Sequence, residues 1–75
     1  KVGISMKEVE IKTEFIKLDQ LLKWAVLAGD GGEARYHILE GNVKVNGEVE
    51  KRRWKKIYEN DIIELEGEKI KIVRG

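Results

Sequence analysis

The chain contains no cysteine and no proline, and its one histidine is His37. Without thiols there is no disulfide scaffold, no thiolate nucleophile and no cysteine-based zinc site, and a lone histidine leaves little for a Ser-His-Asp arrangement. Aromatic residues are only 7% of the chain, and the longest apolar run is Trp24-Ala25-Val26-Leu27-Ala28. A bilayer span needs about 20 such residues. No charged-then-apolar leader with a small-residue cleavage site opens the sequence. These absences lead us to expect a cytoplasmic protein with no membrane partner, no cofactor, no metal and no catalytic residues. What is present fits one small domain: 75 residues, 41% apolar and 39% charged, with a mean hydropathy of -0.45. That balance supports a compact core rather than disorder. Residues 6–75 are taken as the domain. Lys1 to Ser5 precede Met6, where a natural chain could begin, and are read as a non-native remnant or an N-terminal arm.

The formal net charge of +1 conceals an uneven distribution. Lys1 to Ala34 carry five basic and six acidic residues, Arg35 to Lys56 seven against three, and Ile57 to Gly75 three against five. The positive field therefore lies in the middle of the chain. Lys51-Arg52-Arg53-Trp54-Lys55-Lys56 places five cations and one large aromatic in six residues. Such a block repels itself unless an anion neutralises it, which points to a polyanionic partner. The plainer alternative is a solvated basic loop balanced by the acidic C-terminal third.

Periodicity divides the chain into elements. Val9 and Ile11 alternate with charged neighbours between Met6 and Lys12, which predicts a half-buried strand. Leu18, Leu21, Leu22, Ala25 and Ala28 follow the spacing of one helix face, with Asp19 in the first turn and Gly29 as the stop. Asp30 is read as the cap of a second helix over about Gly32 to Glu40, with Gly31-Gly32 in the feeding loop and Glu33 as capping-box partner. Ala34 and Ile38 form its buried face, Leu39 flanks them, and Gly41 ends it. The period then changes to two. Val43 and Val45, the Asn46-Gly47 pair and Glu48-Val49-Glu50 predict a type I′ hairpin. Turns at Glu59-Asn60-Asp61 and Gly67-Glu68 separate strands around Ile63-Leu65 and Ile70-Ile72. The fold class is α+β, with two short helices packed on one side of a small antiparallel sheet.

Taken in order, Leu18-Asp19-x-x-Leu22, Gly32-Glu33-Ala34-Arg35 with Ile38-x-x-Gly41, and Val43-x-Val45-Asn46-Gly47 resemble the RNA-binding domain typified by ribosomal protein S4. The resemblance covers about Lys17 to Asp61. The further series Asp30 to Arg35, Val45 to Glu48 and Arg52 to Ile57 is similar to the small stand-alone bacterial YaaA/YbcJ-like members. It implies the αL motif, in which the helix pair and the following hairpin grip structured RNA. Departures are visible too. Lys17 before the Leu-Asp pair lacks the planar fork of an arginine, and Asp30-Gly31-Gly32 stands where larger members carry Ser-Arg-Ser. The implied partner is structured RNA, with ribosomal RNA expected, and the implied setting is ribosome assembly or translation beside ribosomal-subunit or assembly proteins. A monomer is expected.

Within that resemblance the candidate RNA-binding residues are Lys17, Lys23, Arg35, Lys44, Lys51, Arg52, Arg53, Trp54, Lys55 and Lys56. Lys17, Arg35 and Lys44 are expected on one side of the fold, extended by the basic block. Arginine presents a fork and lysine a point charge, so Arg35, Arg52 and Arg53 are the expected orienting contacts. Trp54 either stacks on an unpaired base or packs against the sheet, the second being preferred. Trp24 is expected to fasten the first helix to the sheet, Tyr36 is left open, and His37 is read as a surface or capping residue. Two other readings stay open. Asn60 to Leu65 ahead of Val73-Arg74-Gly75 look partly like a β-grasp sulfur carrier, although such carriers end in Gly-Gly. A basic module that docks an acidic protein is the other.

Overall fold

The computed structural model describes residues 5–25 and 31–75, and the elements follow in the order β1 (Ser5–Ile11), β2 (Phe15–Lys17), α1 (Leu18–Trp24), α2 (Gly31–Leu39), β3 (Val43–Val45), β4 (Glu48–Val49), β5 (Lys56–Tyr58), β6 (Ile62–Leu65) and β7 (Glu68–Arg74). A five-stranded sheet has the order β1-β7-β6-β3-β4, and β2 pairs with β5 in a separate two-stranded ribbon. The α+β class holds, but the sheet is mixed. β1 runs parallel to β7, from Ser5 opposite Glu68 to Ile11 opposite Arg74. Its alternation foretold the strand; its direction depends on the long return of the chain and left no local signal.

Strand alternation sorts the two faces of the large sheet. Val43 pairs with Leu65, Val45 with Ile63, and Ile63 with Ile70, and all five are buried. Leu18, Leu21 and Leu22 of α1, Ala34 and Ile38 of α2, and Ile57 of β5 join them in one core with Ile11 and Ile72. Burying each large aliphatic side chain contributes about 1.5–3 kcal/mol, so the leucine triplet alone accounts for the docking of a helix only seven residues long. The opposite face is a charged ladder in which Lys44 sits across from Glu64, and Glu64 across from Lys69.

The described part of α1 ends with Ala25 as its C-cap. The expected roles of Ala28, Gly29 and Asp30 lie outside the described residues. Gly31 and Gly32 belong to α2 rather than to a loop, one residue earlier than the predicted start. Leu39, expected beside the buried face, is exposed. It stands well round the helix from Ala34 and Ile38, beyond the stripe that faces the core. Gly41 has φ +79, the left-handed geometry wanted just past a helix. Asn46 and Gly47, at φ 53 and 88, form the type I′ pair, while the later turn is centred on Glu66 and Gly67 so that Glu68 already begins β7. No helix among the described residues is long and apolar enough to cross a membrane.

Candidate nucleic-acid interface

The basic block is positioned by the start of α1. A helix begins with backbone N–H groups that have no partner inside it, and Lys17, the N-cap, supplies no side-chain cap. The missing acceptors come from the block itself. Leu18 N–H donates to the Lys55 carbonyl at 2.9 Å and Asp19 N–H to the Arg53 carbonyl at 3.0 Å. A turn closed by Lys55 N–H to the Arg52 carbonyl at 3.1 Å carries Arg53 and Trp54 at its corner. β5 then pairs with β2, where Lys56 stands opposite Lys17. Backbone carbonyls thus face the helix, and the side chains of Lys51, Arg52, Arg53, Trp54 and Lys56 are exposed, with Lys55 half-buried.

The far end of the segment is also braced. Asn46 Nδ2 donates to Asp61 Oδ1 at 3.1 Å, Ile62 N–H to Asn46 Oδ1 at 2.9 Å, and Tyr58 N–H to Asp61 Oδ2 at 2.8 Å. Asn46 therefore serves twice: its backbone makes the hairpin turn, and its side chain holds the turn that follows β5. Phe15 is a further support that the sequence pattern did not single out. Lys56 Nζ lies 4.8 Å from the centroid of its ring, and the Tyr58 ring packs at 5.9 Å on a tilt of 49°.

The cations of the block are not equivalent. Arg52 Nε donates to Glu50 Oε2 at 2.8 Å, Nη2 to Oε1 at 3.1 Å, and the Arg52 backbone N–H to Oε2 at 3.0 Å. This fork holds the Glu50 carboxyl below the usual carboxylate range, chiefly through the side-chain hydrogen bond, while burial of Glu50 opposes the shift. Arg52 is raised by the same contact. Among the described residues, no ion pair engages Lys17, Lys51, Arg53, Lys55 or Lys56. Arg52, expected among the orienting contacts, is held in place by its neighbour Glu50.

The remaining candidates are dispersed. Lys23 is exposed in the last turn of α1 and Arg35 on α2. Lys44 is exposed on β3 between buried Val43 and Val45. It therefore points to the sheet face away from both helices, and the expected gathering of Lys17, Arg35 and Lys44 on one side does not occur: strand alternation decides Lys44, and the family pattern does not override it. Trp24 is 56% exposed and stands outside the core; it lines an open groove of about 630 Å³ with Val9 and Ile11 of β1, Ile16 and Ala25. Trp54 is 60% exposed, so it lies outside the core and sits at the rim beside Tyr58. Tyr36 is exposed as well. The His37 carbonyl accepts from Asn42 N–H at 3.0 Å and its ring meets Asn42 Nδ2 at 3.2 Å, a role at the end of α2. Gly75 N–H donates to the Ile11 carbonyl at 3.0 Å, so the last residue extends β7 beside β1.

A short helix pair, a tight hairpin and a basic loop fastened to the first helix define the class, and the family model of the S4 domain matches residues 9–73. The chain belongs to the S4 domain family. Among its relatives, a protein of Bacillus subtilis (strain 168) named "Probable ribosome maturation protein RlbA" is 42% identical over 59 residues, covering 79% of this chain and 83% of that one. The solution structure of YbcJ from E. coli, described as revealing an αL motif involved in RNA-binding, superposes with a TM-score of 0.66 at 29% identity. That likeness covers 96% of this chain and 90% of YbcJ. The chain is thus similar to small stand-alone S4 domain proteins, as its sequence suggested, and the β-grasp reading falls.

Proposed function

We propose that this protein binds folded RNA, ribosomal RNA in particular, and serves ribosome maturation in the cytoplasm as a monomeric accessory factor without catalysis. The observation that carries the reading is the basic loop: four of its five cations, and Lys17 beside them, make no ion pair among the described residues, and the loop is held on a backbone that caps α1 at two points. Pre-positioned charge of one sign suits phosphates, which are spaced regularly and carry no sequence information. A-form RNA hides its major-groove edges, so a short basic module grips backbone, 2′-hydroxyls and junction shape. The printed descriptions of RlbA and YbcJ, ribosome maturation and RNA-binding respectively, point the same way. Lys17, Lys51, Arg53, Lys55 and Lys56 form the main phosphate-binding set, with Arg52 oriented by Glu50. Lys23 and Arg35 extend it along the helices, and Lys44 contributes only if RNA wraps past the hairpin.

Crosslinking of the protein to RNA in cell lysate, with sequencing of what is bound, tests the reading beside an Arg53→Glu/Lys55→Glu variant. Among the described residues both side chains are free of ion pairs, and α1 is capped by their backbone carbonyls, which the substitutions leave in place. Enrichment of a ribosomal RNA region, lost in the variant, is expected. Equal recovery of RNA by both proteins overturns the assignment of the loop, and recovery no higher than background with an acidic protein retained instead overturns the RNA reading.

A further inference from the structure

Trp54 is unexplained by folding. It is 60% exposed at the corner of a turn, although α1 and the large sheet close their core without it. Its backbone is nonetheless held on both sides, because the carbonyls flanking it, from Arg53 and Lys55, accept the α1 N–H groups. The indole lines a cleft of about 320 Å³ whose other walls are Arg52, Lys55, Lys56 and Tyr58. Tyr58, 42% exposed, offers the second aromatic surface, and its ring is backed by Phe15. The volume lies at the low end of the roughly 300–1,000 Å³ of small-ligand sites, enough for one planar ring system. Among the described residues no carboxylate lines this cleft, and Glu50 behind it pairs with Arg52 while Lys55 and Lys56 make no ion pair.

Two aromatic surfaces and an excess of positive charge in one small cleft are complementary to a planar base that carries phosphates. From this juxtaposition we infer that the Trp54/Tyr58 cleft is a binding site for a single unpaired nucleotide of the RNA, with the base against Trp54 and its flanking phosphates on Lys55 and Lys56. An acidic peptide shares the charge but lacks the flat aromatic face that Trp54 and Tyr58 would cover. The inference rests on the proposed RNA binding and adds a specificity to it: the protein prefers RNA with a loop or bulge over a continuous duplex.

The test uses a Trp24→Phe background, in which Trp54 is the sole tryptophan. An RNA stem-loop and a blunt RNA duplex with the same number of phosphates are titrated, reading both affinity and tryptophan emission. The stem-loop is expected to quench Trp54 and the duplex to leave it unchanged. Trp54→Ala is expected to weaken stem-loop binding by roughly five- to 150-fold, the equivalent of one lost stacking contact, and duplex binding by less than about twofold. Trp54→Phe, which keeps a ring, restores most of the difference. Equal loss on both RNAs, or loss on neither, overturns the nucleotide site while leaving RNA binding intact. Failure of the parent protein to bind either RNA overturns both, and binding of an acidic tryptophan-free peptide with the same quench assigns the cleft to protein.

Discussion

Glu50→Gln separates two effects that usually move together. In the free protein the Glu50 carboxylate, with a side chain only 13% exposed, occupies both prongs of the Arg52 guanidinium. The variant removes one negative charge from beneath the loop and releases that fork, while the glutamine carbonyl still accepts the Arg52 backbone N–H and keeps the turn closed. The magnitude follows from counterion release. Each phosphate neutralised contributes roughly 0.7–0.9 to the slope of log affinity against log salt. Over the decade between 1 M and 0.1 M salt, one added contact is therefore worth roughly five- to eightfold. Folding stability moves the other way, because the pair is lost. Filter binding of a folded ribosomal RNA fragment across that salt range, with thermal unfolding of the same samples, measures both. The expected result is tighter RNA binding with a steeper slope and a lower melting temperature. Weaker binding, or a slope identical to that of the parent, refutes the idea that Glu50 competes with phosphate for Arg52.

Other expectations concern the scaffold. The Glu50 carboxyl is held below its ordinary value of about 4.5, so its stabilisation is present above that value and lost as pH falls through the depressed one. Urea unfolding should therefore separate the parent from Glu50→Gln at pH 7 and bring the two together in strong acid; a gap that persists there contradicts the assignment. Ile57, fully buried on β5, ties the basic segment to the core. Ile57→Val should cost about 0.5–1.5 kcal/mol and lower the melting temperature by roughly 2–12 °C, with RNA affinity unchanged while the protein is folded. Gly47 has φ +88 and open space around it, so Gly47→Ala meets only backbone strain. A loss of about 1–2 kcal/mol in denaturant unfolding is expected, and an unchanged midpoint would refute the turn assignment.

The helices and hairpins were legible because their signals are local: the leucine spacing over Leu18 to Leu22, the alternation of Val43 and Val45, and the Asn46-Gly47 pair each determine geometry within a few residues. The parallel pairing of β1 with β7 was not, since it joins opposite ends of the chain. β2 escaped for a related reason. Three residues beside a helix start carry no usable period, and Phe15–Lys17 become a strand only because β5 arrives to pair with them. For the candidate interface, composition located the basic block but not its internal differences. Glu50 lies one residue before the block in sequence, yet its bidentate hold on Arg52 depends on how the chain leaves β4. The exposure of Trp24 and Trp54 was misjudged because size and hydrophobicity were read as burial, whereas the core was already filled by aliphatic side chains. Lys44 illustrates the reverse: its alternation with two valines was visible, and it fixed the outward face that the resemblance to a helix-side cluster obscured.

The central claim is that the loop from Lys51 to Lys56, with Lys17 beside it, is a phosphate-binding surface. The affinity of the parent protein for a folded ribosomal RNA fragment, measured against salt, tests it most directly when run beside Arg53→Glu/Lys55→Glu. Five contacts at roughly 0.7–0.9 each give an expected slope of about -3.5 to -4.5, falling in magnitude by roughly two contacts in the variant. A slope near zero, or one that the variant leaves unchanged, would contradict the account.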